Sequence, residues 1–85
     1  MLAVQTISNT NLTIYTVPTG KKAYVYVDIF APTAGDLSVI VNNKTYFSKQ
    51  SFSGYISFKL SLTSADSIAL YFSGTCNVFV HGEEV

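Results

Sequence analysis

The residues that could do chemistry in this chain are few. His81 is the only histidine, Cys76 the only cysteine, and the acids are Asp28, Asp36, Asp66, Glu83 and Glu84. A histidine with a carboxylate and a serine is the make-up of nucleophilic acyl transfer, and Asp28, Asp36 or Asp66 could supply the carboxylate. Serine is so common here that such a trio arises by chance, and no Gly-x-Ser-x-Gly elbow is present. His81 therefore reads as a strand-end histidine near the carboxy terminus. A reactive thiol needs electropositive surroundings; nothing beside Cys76 supplies them, so it reads as a small buried apolar residue. No Cys/His pair stands at metal-ligand spacing and no glycine loop could cradle a phosphate. The acids are dispersed, and so short a chain offers little wall for the cleft of a glycosidase pair. The expectation is a non-enzymatic protein with no catalytic, cofactor or metal residues.

Composition narrows the classes further. Hydrophobic residues make up 48% and charged residues 12%, with six Tyr and six Phe. Disordered chains show the opposite bias. Eighty-five residues suffice for one domain, 1–85, with one core. The lysines Lys21, Lys22, Lys44, Lys49 and Lys59 are scattered, arginine is absent and the net charge is zero, so nucleic-acid binding is not expected. Near-zero charge favours association. No segment has the run of about 18 apolar residues that a membrane helix needs, and no membrane partner is expected. The start lacks a basic segment followed by a long apolar run, so it is not a signal peptide. Between Met1 and the polar tail Gly82-Glu83-Glu84-Val85, the chain reads as a whole gene product synthesised inside a cell. Asn11-Leu12-Thr13 and Asn43-Lys44-Thr45 match the glycosylation sequon by chance and carry no weight without export.

The elements that position these residues follow from period-two alternation, cut by turn residues every eight to twelve positions. Strands are expected at Ala3–Ile7, Leu12–Val17, Ala23–Ala31, Leu37–Val41, Lys44–Phe47, Tyr55–Leu62, Ile68–Phe72 and Asn77–His81. Between them lie Ser8–Asn11, Pro18–Gly20, Pro32–Asp36, the serine-rich Ser48–Gly54, Thr63–Ser67 and Ser73–Thr75, with Asn42-Asn43 suited to a tight hairpin. No helical period competes. The fold class is all-β: a small antiparallel β-sandwich or jelly roll of about eight short strands. Shared parity assigns the core to Val25, Val27, Ile29, Leu37, Val39, Val41, Ile56, Phe58, Leu60, Ile68, Leu70, Phe72, Val78 and Val80.

The opposite parity should be polar. Instead it carries Tyr15, Tyr24, Tyr26, Phe30, Tyr55, Tyr71 and Phe79. Tyrosine is a good strand former whose hydroxyl can stay wet. Aromatic enrichment with charge depletion is equally the mark of a subunit interface. That second reading assigns Tyr24, Tyr26, Phe30, Tyr55 and Tyr71 to a contact in a homo-oligomer that completes its core between chains.

From Leu12 to Ala23 the chain reads LTIYTVPTGKKA. This resembles a segment of small tailed-bacteriophage virion proteins, in which a strand ending Tyr-Thr-Val-Pro leads through a Gly-Lys turn into a long alternating strand. The end is also similar: an apolar strand Ile68–Phe72, then Ser73-Gly74-Thr75, then a strand closing Val80-His81-Gly82-Glu83. The long strand departs from that pattern in being richer in Tyr. The resemblance implies a β-sandwich carried on the particle: a capsid decoration or head-fibre protein, or a small tail component. It implies a homo-oligomer, with a trimer favoured, assembled in the host cytoplasm and bound to capsid or tail proteins; it transfers no catalytic residue. Competing readings are a carbohydrate- or receptor-binding module facing a host surface glycan, and a small inhibitor or host-interaction protein. Surface tyrosines suit sugar stacking, although Trp is absent.

Overall fold

The computed structural model describes all 85 residues and contains strands but no helix. Four strands make up the fold: β1 (Ala3–Thr16), β2 (Ala23–Val41), β3 (Lys44–Leu62) and β4 (Ser67–Glu84). They form a single antiparallel sheet in the order β1-β4-β2-β3. The all-β class holds. The eight-stranded sandwich or jelly roll does not, because the eight expected segments are the halves of four long strands.

The halves stay joined because the polar segments bend the backbone without ending it. Register breaks fall at Ser8/Thr10 on β1, at Ala31/Gly35/Leu37 on β2 opposite β3, and between Phe30 and Leu37 opposite β4. Asn9 and Ser51 adopt positive φ. Extra residues at such breaks bend a strand and sharpen its twist. The segments around Asn9, Pro32–Asp36, Ser48–Gly54 and Ser73–Thr75 thus line up as one crease across the sheet. Asp36 ties it together: its N–H donates to Ser73 Oγ at 2.8 Å, and its carboxylate accepts from the Ser51 N–H at 3.2 Å.

About this crease the sheet folds over on itself. A straight strand of β2's length would span about 60 Å, yet the molecule measures 37 × 22 × 17 Å. Phe47 and Phe58 lie on the same strand and would stand about 36 Å apart if it were straight; their ring centroids are 5.0 Å apart. Tyr15, paired opposite Ile68 at one end of β4, donates a hydrogen bond from its hydroxyl to Glu84 at the other end. One arm holds Ala3–Ser8, Ala23–Ala31, Gly54–Leu62 and Cys76–Glu84; the other holds Thr10–Thr16, Leu37–Val41, Lys44–Lys49 and Ser67–Phe72.

The connections close the open end. Val17–Lys22 and Thr63–Asp66 each cross from one arm to the other, and they bond to each other: Val17 N–H to Asp66 C=O at 2.9 Å, Ala65 N–H to Val17 C=O at 3.1 Å, and Gly20 N–H to Ser64 Oγ at 2.9 Å. Asp66 organises this corner, accepting from the Thr63 N–H at 2.8 Å and from Asn42 Nδ2 at 2.9 Å. Asn42 and Asn43 both have positive φ, as the two-residue hairpin between paired Val41 and Lys44 demands.

Twenty residues are buried between the arms, all of them hydrophobic. Phe72 is fully buried over the crease, where a Cβ on Gly35 would stand 2.7 Å from its ring. Eleven of the fourteen expected core residues are buried; Val41, Ile56 and Phe58 are half-buried. Ile56 and Phe58 lie on edge strand β3, where the inner face is covered from one side only. Tyr15 reverses its expected side. The register slips between Thr13 and Tyr15, so that Ile14 and Tyr15 both turn inward. The accessible surface is 4692 Å², close to the ~5,000 Å² expected of a folded monomer of this mass. The twenty buried residues are thus covered within one chain.

Candidate interaction face

Cross-strand register assembles the outer face of the first arm row by row. Tyr24 lies between Ser61 and Glu83, Tyr26 between Lys59 and His81, Asp28 between Ser57 and Phe79, and Phe30 between Tyr55 and Asn77; Val4 on β1 continues the Phe79 row. Tyr24, Tyr26, Phe30 and Tyr55 are 44–64% exposed. They share this face because strand residues two apart point to the same side. Tyr71 does not join them. It is half-buried and pairs with Asn11 and Ser38, which places it on the second arm. Tyr46, not singled out from the sequence, is 52% exposed and meets Phe58 edge-on with centroids 5.8 Å apart. It sits at a register slip between Val39 and Ile40, which alternation alone does not reveal.

A polar cluster occupies the middle of this aromatic face. His81 Nε2 donates to Asp28 Oδ2 at 2.6 Å, and Ser57 Oγ donates to Asp28 Oδ1 at 2.6 Å. The Tyr26 ring stacks on His81 at 5.4 Å and 17°, and Lys59 Nζ lies 5.9 Å from the Tyr26 centroid, inside cation–π range. Partial burial by itself would raise the Asp28 carboxyl. The hydrogen bonds from Ser57 and His81, with the attraction of the imidazole, outweigh it and hold the carboxyl below its ordinary value.

Histidine, aspartate and serine thus meet, but in the wrong order for acyl transfer. Nucleophilic catalysis needs the imidazole between serine and carboxylate, so that it can take the hydroxyl proton. Here the carboxylate stands between them, and its lowered pKa makes it a poor base for Ser57. No pocket adjoins the cluster, and no three His, Cys, Asp or Glu side chains come together as metal ligands. Cys76 is fully buried, and burial pushes its thiol up to about 11. What the arrangement can do is present an exposed aromatic surface around a hydrogen-bonded Asp28–His81–Ser57 cluster. No protein-family model and no characterised protein matches the chain.

Proposed function

We propose that this is a non-enzymatic structural protein of a tailed-phage particle, a capsid decoration protein of the head-fibre or cement kind acting as a homo-oligomer. The observation that carries the reading is the outer face of the first arm. Four exposed aromatic rings gather there, and Asp28 is hydrogen-bonded by His81 and Ser57 within the chain. Burying such a face against another subunit removes large apolar area from water while the Asp28 carboxylate keeps its hydrogen bonds within the chain. The residues assigned to the contact are Tyr24, Tyr26, Phe30 and Tyr55, a trimer being the favoured assembly; Tyr71, on the other arm, is left to meet capsid or tail proteins. The likeness of the Leu12–Ala23 segment to small phage virion proteins supplies the particle.

Sedimentation of the purified protein together with immunogold labelling of phage particles tests this. A trimer or larger assembly and gold on particle heads are expected; a monomer at high concentration, or unlabelled particles, overturns the reading. A second reading is a carbohydrate- or receptor-binding module on a phage tail. It is favoured by one feature: the Tyr26 ring borders the Asp28–His81–Ser57 cluster, so that stacking and hydrogen bonding are available side by side. A monomer that gives a glycan-array signal abolished by Tyr26→Ala selects it.

A further inference from the structure

The folded-over sheet ends in two edge strands, β1 and β3. The outward side of an edge strand carries backbone N–H and C=O groups with no neighbouring strand, a template for pairing unless the edge is blunted. The two edges here are built differently. β3 carries Lys44, Lys49 and Lys59, breaks register with its neighbour repeatedly, and plugs its side of the core with Tyr46 and Phe47 against Phe58. β1 has fourteen residues and not one Lys, Arg, Asp, Glu, Pro or Gly. Its side of the core is also open. Gln5, Thr10 and Leu12 pair with the buried Val78, Phe72 and Leu70, so they stand on the inner face, yet all three are exposed.

We propose that β1 pairs antiparallel with the β1 strand of a second copy of this chain, around a two-fold axis at the crease beside Asn9. The sheet then runs through eight strands. Two features single out a second copy. An uncharged strand can lie against itself without repulsion, whereas a head-to-tail contact would bring the lysines of β3 to an edge that has no carboxylate to meet them. The shape is also self-complementary. β1 bends near its middle, so a two-fold axis along the bisector of the fold exchanges the arms, and crease meets crease. Ala3–Ser8 of one chain then runs beside the Asn9–Ile14 segment of the other. The register slip at Asn9 sets which residues meet if inner faces are to stay inner: Gln5 lies beside Leu12 of the other copy, and Val4 beside Thr13. This contact is made by the edge of β1 and uses none of the four exposed rings.

Two double variants at Val4 and Thr13, both exposed, test it. Within one chain these residues lie on different arms; across the proposed seam they face each other twice. Val4→Lys/Thr13→Lys sets like charges opposite and should halve the mass measured by sedimentation. Val4→Lys/Thr13→Glu sets opposite charges there and should keep the wild-type mass. An undiminished mass for the Lys/Lys form, or equal dissociation of both forms, overturns the pairing, as does a monomeric wild type. Hydrogen exchange on the wild-type chain decides the matter even if a variant fails to fold. The β1 amides that point away from β4 should slow about tenfold or more as concentration rises; exchange that stays fast at every concentration overturns the proposal.

Discussion

Cys76 shows how far a single residue's environment dictates its behaviour. It sits at the start of the inward row that continues with Val78 and Val80, so its side chain points between the arms and is fully buried. Only the thiolate reacts, and a thiol pushed up to about 11 by burial is almost wholly protonated at pH 8. Ellman's reagent at pH 8 should therefore leave the native protein unlabelled and titrate one thiol per chain in denaturant; rapid native labelling would contradict the burial. Asp28 gives the converse case. Its carboxyl is held below the ordinary value, so the stability it contributes is fully present above about pH 4 and fades as the pH falls through the depressed value. Asp28→Asn should cost about 1 kcal/mol near neutrality, a modest figure for a partly exposed charged hydrogen bond. Urea midpoints measured from pH 7 down to pH 2.5 should show that gap closing below pH 4; a gap that widens in acid would mean the sign is wrong. The placement of Cys76 was legible in the sequence, because its parity matches that of its strand. Tyr15 was not. Its side was reversed by a register slip that leaves no mark in the alternation, and burial followed by its bond to Glu84 raises its phenol to about 12.

At the scale of the element, the sequence carried the direction of each segment but not its continuity. The eight expected segments are all extended, as halves of four strands, with the expected inward rows along Val25–Ile29, Leu37–Val39, Ile68–Phe72 and Val78–Val80. What alternation cannot say is whether Pro32–Asp36 or Ser73–Thr75 ends a strand or bends it. Both outcomes use the same small, polar and glycine-bearing residues; the difference lies in whether the backbone keeps partners across the break, as Asp36 does with Ser73 and Ser51. The Asn42-Asn43 hairpin was legible because few other residues accept two successive positive φ values. Gly82 is where β4 is least tolerant. Its φ is +145°, and a Cβ there would stand 2.0 Å from the Tyr24 carbonyl oxygen, a backbone atom fixed in the neighbouring strand. Gly82→Ala should destabilise by about 3 kcal/mol or more. Thermal melting checks it; a melting temperature within a degree or two of wild type would show that β2 and β4 can separate locally without cost.

At the scale of the molecule, the candidate face was more legible than the fold that carries it. Tyr24, Tyr26, Phe30 and Tyr55 were placed together by strand parity, and they are together because β2 and β3 remain paired through that arm. Tyr71 was grouped with them because an unfolded list of outward residues does not record which arm each belongs to. The fold-over also changes what an assembly has to supply. The twenty buried residues lie between the arms and not behind the rings, so the contact on the aromatic face has to stand on the rings themselves. Tyr26 lies at its centre, stacked on His81 with Lys59 above it. Tyr26→Lys removes that ring and sets a second ammonium beside Lys59, so that closure of the face would desolvate unpaired like charges. The chain should stay folded, because Tyr26 is 44% exposed and contributes nothing to the buried set. The expected result is a wild-type circular dichroism spectrum with loss of the aromatic-face assembly and, where β1 edges pair, a residual two-chain species that the Lys/Lys variant at Val4 and Thr13 then reduces to monomer. An assembly of unchanged mass for Tyr26→Lys would remove the aromatic face as a subunit contact and leave the edge of β1 as the sole seam to account for it.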